Sequence, residues 1–145
     1  MKGMLVVMAL LLGSSMVQAQ SAIPDIKGTW SSKAGSVILG ANQHHPAQGA
    51  DAATPRVQEI EFSLVITGQQ GPFAWGYNFS AVSSDRESFV LSIASDGKTI
   101  IGSDTDGYYN LRLVSPDRME VCYAHAGNGP SKSILATCSM MDRKK

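Results

Sequence analysis

From Gly28 onward, apolar and polar residues alternate along the chain, the pattern of strands that bury one face. Ile60, Phe62, Leu64 and Ile66 share one side, opposite Glu59, Glu61 and Ser63. Phe73, Trp75, Tyr77 and Phe79 alternate with Ala74, Gly76, Asn78 and Ser80, and Phe89, Leu91 and Ile93 continue the rhythm. No stretch after the N-terminal segment carries the i, i+3, i+4, i+7 stripe of an amphipathic helix, so the chain reads as all-β. Turn residues divide these runs at Gly68-Gln69-Gln70-Gly71, Ser95-Asp96-Gly97, Thr105-Asp106-Gly107 and Ser115-Pro116-Asp117. The strands expected are 28–39, 56–67, 72–80, 88–94, 98–103, 107–114, 118–125 and 132–141.

Eight strands joined in sequence order most economically close into an antiparallel up-and-down β-barrel, which leaves no exposed edge. Successive connections then alternate between the two ends. The second, fourth and sixth (68–71, 95–97 and 115–117) are tight, whereas the first, third and seventh (40–55, 81–87 and 126–131) are long. The fifth, near 104–106, breaks the rule. One end is therefore expected to be stitched shut and the other to be open and ringed by loops, where binding function concentrates. The stripe Phe73, Trp75, Tyr77 and Phe79 is expected to line the interior. It would be either the wall of an apolar pocket, with Tyr77 as its polar handle, or plain core filling.

The N-terminal segment has a different character. Lys2 precedes an uncharged apolar run, Met4 to Leu12; Gly13, Ser14 and Ser15 follow, and Val17-Gln18-Ala19 offers a cleavage site. This is the three-part arrangement of a secretory signal peptide spanning 1–19. The run is about half the ~20 residues that a membrane-spanning helix needs. Its brevity points to bacterial export, and so to the periplasm or the medium. Of 145 residues, removal of 19 leaves about 126, residues 20–145, a normal size for a single barrel domain with no membrane span of its own. With Lys2 gone, the 12 acidic residues face 11 basic ones, a balance that gives no field to attract nucleic acid.

The export reading bears on Cys122 and Cys138, an even count in an oxidising compartment. The strand assignment sets them on neighbouring antiparallel strands with the same facing, so a disulfide is expected. Closing a loop of that length is worth about 3 kcal/mol in the chain-entropy treatment.

Candidate chemistry is sparse. His44 and His45 lie in the first long loop, and His125 ends the seventh strand at the same rim, so a three-histidine zinc or copper site is geometrically open to the chain. The competing reading of His44-His45 is a solvent-exposed loop. Asp104-Thr105-Asp106-Gly107 begins like a calcium loop but places Gly at the fourth position and Ser115 where Glu is required, so it reads as a β-turn. Asn78-Phe79-Ser80 fits a glycosylation sequon. No nucleophile motif of the Gly-x-Ser-x-Gly type occurs, and no motif calls for a cofactor.

Gly28-Thr29-Trp30, opening the first strand of an eight-stranded barrel after Ile23-Pro24-Asp25, resembles the Gly-x-Trp start of the calycins. That superfamily comprises the lipocalins, fatty-acid-binding proteins and avidins. The resemblance implies that Trp30 packs across the closed end, that the first long loop borders the open end, and that the barrel binds a ligand. The avidins' polar set for biotin is not found. The expectation is thus an exported, non-enzymatic barrel holding a small apolar or amphipathic molecule. The alternatives are a periplasmic interaction or inhibitor module that meets an envelope protein through its rim loops, and a histidine-based metal carrier.

Overall fold

The computed structural model describes residues 22–41, 53–126 and 133–145; the expected signal peptide, His44 and His45 lie outside them. Eight strands follow in order: β1 (Gly28–Leu39), β2 (Arg56–Gln70), β3 (Phe73–Ser80), β4 (Ser83–Ile93), β5 (Thr99–Ser103), β6 (Gly107–Ser115), β7 (Arg118–His125) and β8 (Ile134–Arg143). Each pairs antiparallel with the next, and β8 returns to β1 to close the barrel. The expected all-β, eight-stranded antiparallel barrel is therefore what forms. Among the described residues no helix is long and apolar enough to cross a membrane.

One end is sealed by side chains. Trp30 and Ile26 are fully buried there, with Leu64, Leu111, Met119 and Met141 packed above them. Trp30 Nε1 donates to the Ile26 carbonyl at 2.9 Å. The Arg143 guanidinium lies 4.4 Å over the Trp30 ring and donates to the carbonyls of Lys27, Asp25 and Pro116. Gln69 holds the lead-in from the other side, accepting from the Ile26 amide and donating to the Pro24 carbonyl. Residues 22–27 are thereby strapped beneath the barrel as a floor. A planar cation stacked on an indole and spending its donors on carbonyls is well suited to this place, because it satisfies turn carbonyls while covering an apolar face.

Three tight connections close this floor, including Gly71-Pro72 and the 94–98 turn, where Gly97 takes a φ of 67°. Two expected features differ. The third connection is a two-residue turn, Ala81-Val82, because β4 reaches back to Ser83. Residues 83–88 (SSDRES) show no apolar alternation, since the inward positions there face a polar space rather than a core.

The second difference is the aromatic stripe, which points outward. Phe73, Trp75 and Phe79 are 60%, 46% and 37% exposed, and the inward row of β3 is Ala74, Gly76, Asn78 and Ser80. Alternation shows that a strand has two faces, but not which of them a narrow interior can hold. Here Phe89, Leu64 and Tyr109 already occupy that interior, so the neighbouring strand contributes small residues. Outside, the Trp75 ring lies flat against Gly68, where any added Cβ would collide with it. Arg86 covers Tyr77 at 4.6 Å.

Cys122 and Cys138 are directly opposed on β7 and β8, share the outer face and form a disulfide. The bond fits an oxidising compartment. It also anchors β8 beside the closing seam, where the β1–β8 ladder stops after Ser31–Asp142 and resumes at Ser36–Thr137. Within that gap the Ser32 and Ser139 hydroxyls meet at 2.9 Å.

Truncating the plug tests this floor. Trp30→Ala is expected to lower the unfolding free energy by about 3–5 kcal/mol in urea titrations, the usual range for a buried tryptophan. A loss below ~1 kcal/mol would mean that the closed end does not depend on it.

Candidate functional site

The interior changes character along the barrel axis. Towards the floor the inward residues are apolar and closely packed, among them Leu91, Ile93, Ile100 and Leu111. Towards the other end they become small or polar: Ala34 and Ser36 on β1, Asn78 and Ser80 on β3, Thr137 and Ser139 on β8. Small side chains from facing strands cannot meet across the lumen, and a cavity of about 70 Å³ remains. That is room for a few waters or a small organic group, well below the ~300 Å³ of a typical drug-sized site. Ile60, Phe62, Val121 and Leu135 supply its apolar surface, while Asp85, Glu87 and Asp106 bring carboxylates to its lining.

One wall is built on Asp104. The β5–β6 turn sets it in place, as its Oδ1 accepts from the amides of Asp106 at 3.0 Å and Gly107 at 2.7 Å. The same carboxylate accepts three side-chain donors: Tyr109 OH at 2.9 Å, Tyr123 OH at 3.1 Å and Asn78 Nδ2 at 3.4 Å. Asn78 Nδ2 also donates to Tyr109 OH at 2.8 Å. Since a carboxylate only accepts, the amide nitrogen of Asn78 must face Asp104, which fixes the orientation of the side chain. The two tyrosine rings pack with their centroids 4.5 Å apart and their planes tilted by 40°, and Phe89 and His125 flank them.

Burial raises the Tyr109 hydroxyl far above the ordinary tyrosine value, with the Asp104 charge adding to the effect. Tyr123 shifts the same way, first through burial, then through Asp104 and the fields of Glu87 and Asp106. Both hydroxyls are therefore held as donors, and both are committed to Asp104.

The residues expected from sequence are only partly gathered here. Phe79 borders the cavity, whereas Phe73, Trp75 and Tyr77 lie on the outer face away from it. His125 is buried at the cavity, its Nε2 3.1 Å from Ser133 Oγ. Among the described residues no group of three His, Cys, Asp or Glu is placed to hold a metal. Sequence reasoning missed Asn78, Asp104, Tyr109 and Tyr123. The signal was available in Asp104-Thr105-Asp106-Gly107, a turn whose first carboxylate caps its own backbone just before an inward tyrosine.

No protein-family model matches the sequence, and no curated protein matches it. Among solved structures, the chain is similar to an S-type phycobiliprotein lyase from Guillardia theta, at 13% identity and a TM-score of 0.35, over 83% of this chain and 89% of that one. The expectation of a non-enzymatic protein is withdrawn on this finding, the similar protein being a lyase. The lyase's substrate and reaction stay with that protein.

The wall is open to an alkaline test. A tyrosine whose folded pKa lies above its unfolded value near 10 stabilises the fold fully below pH ~10, and that contribution is lost as pH climbs past it. In an absorbance titration of the folded protein, Tyr109 and Tyr123 are expected to stay protonated past pH ~11 and to ionise only with unfolding. Ionisation of all four tyrosines in one step, with the fold intact, would contradict the arrangement. Tyr109→Phe, which removes one donor from Asp104, is expected to cost about 1–3 kcal/mol.

Proposed function

We propose that this protein holds a small amphipathic molecule in the open half of its barrel. The observation that carries this reading is the division of the interior. Core-forming residues fill the floor, yet the inward positions above it are small or polar and leave space. Selection for stability alone favours a filled core, because each unfilled volume forfeits contacts. Residues such as Ser36, with no hydrogen-bond partner for its hydroxyl among the described residues, make little sense as packing. They make sense as the lining of a site that something else completes. The apolar side chains would take the body of the guest and the Asp104 wall its polar group.

A second reading, interaction with another protein, is favoured by the outer face of β3–β6. There Phe73, Trp75, Val90, Ile101 and Tyr108 are all exposed. The rim loops that would carry the inhibitor form of this reading fall mostly outside the described residues.

Native mass spectrometry of protein purified gently from its own host tests the first reading. One small molecule per chain is expected, released on unfolding and absent from Ser36→Leu, whose larger side chain fills the cavity. Bare chain mass for the wild type, and no difference between it and the variant, would overturn the reading.

A further inference from the structure

The Asp104 wall of the cavity offers acceptors and no free donors. Both tyrosine hydroxyl protons and both protons of the Asn78 amide point towards Asp104 or Tyr109, so none is left for a guest. What Asn78 has left is Oδ1. This side chain is only 5% exposed, it lines the cavity, and its carbonyl oxygen has no hydrogen-bond partner among the described residues. A buried amide oxygen left unpaired costs about 1–3 kcal/mol unless water or a ligand donor meets it.

Charge points the same way. Asp106 lines the cavity, and its carboxylate has no ion-pair or hydrogen-bond partner among the described residues. Asp85 and Glu87, neither of them free, also line the cavity, and the basic side chain found there among the described residues is His125, turned onto Ser133. The fields of Glu87 and Asp106 both reach the Tyr123 hydroxyl, so the negative potential extends into the polar half of the lumen. An anionic guest such as a fatty acid would enter against these charges and find only neutral hydroxyls such as that of Ser36, and no cation turned towards it, to receive it.

We propose that the guest is a small organic cation, an amphipathic amine, whose ammonium donates to Asn78 Oδ1 beside Asp106 while its apolar body lies against Phe62, Val121 and Leu135. This rests on the ligand-carrying reading and names the chemistry of its guest. Apolar contact gives such a molecule general affinity. The charge-assisted bonds to Asn78 and the Asp106 side then decide between molecules of equal size.

Three probes of one shape separate the possibilities: benzylammonium, benzyl alcohol and benzoate, titrated at neutral pH into the full chain with calorimetry and with NMR shifts of the Asn78 side-chain amide. Benzylammonium is expected to bind at least ~10-fold more tightly than the alcohol, with no detectable binding of benzoate. Asp106→Asn keeps the backbone amide that caps Asp104, and is expected to weaken the amine by about 3- to 10-fold while leaving the alcohol unchanged. Equal affinity for amine and alcohol, or a preference for benzoate, would overturn the cation while leaving a ligand cavity in place. Failure of all three probes on a folded protein would overturn the cavity reading, and the cation with it.

Discussion

An eight-stranded barrel has a lumen about as wide as the side chains that point into it, so the bulk of those side chains decides whether it is solid or hollow. In this protein bulk is distributed along the axis. Trp30, Ile26, Leu64 and Met119 fill the floor completely, while Ala34, Ser36, Ser80 and Ser139 leave the upper half unfilled. Every other feature follows from that distribution. The Arg143 stack and the strapped residues 22–27 seal what the apolar half begins. The disulfide and the hydroxyl pair at the β1–β8 seam keep the ring closed around a half that has little core of its own.

A half-empty lumen requires its polar groups to be held in place by one another. Asp104 does this for one wall. It gathers two turn amides, two tyrosine hydroxyls and an asparagine amide, so five donors converge on one carboxylate. Fixing those donors determines what the wall presents, because each proton drawn towards Asp104 leaves a lone pair elsewhere. The preference for a donor guest is thus a consequence of how the wall is held together. The same network fixes the Tyr109 and Tyr123 hydroxyls on one wall of the cavity.

Much of the fold was legible in the chain. Period-two alternation and turn residues located all eight strands and their order, and strand parity set Cys122 beside Cys138 on one face. Two readings failed for one reason. The stripe of Phe73, Trp75, Tyr77 and Phe79 reads as inward because bulky apolar residues usually mark the buried face, but a narrow barrel lined by larger neighbours takes the small row instead. Residues 83–87 read as part of a loop because they lack apolar alternation, yet a strand facing a polar cavity has none to show. Hydrophobic periodicity detects cores, so it is blind to a strand whose inward face serves a site. The role of Asn78 is hidden in the sequence because its partners, Asp104 and Tyr109, are distant from it along the chain.

The division of the lumen is tested most directly by a high-resolution crystal structure of the ligand-free protein, read for ordered water. The account predicts water within hydrogen-bonding distance of Asn78 Oδ1 and Ser36 Oγ, and none among Trp30, Leu64 and Leu111. An upper half filled by side chains, with Ser36 turned onto a protein acceptor and no water beside Asn78, would contradict it.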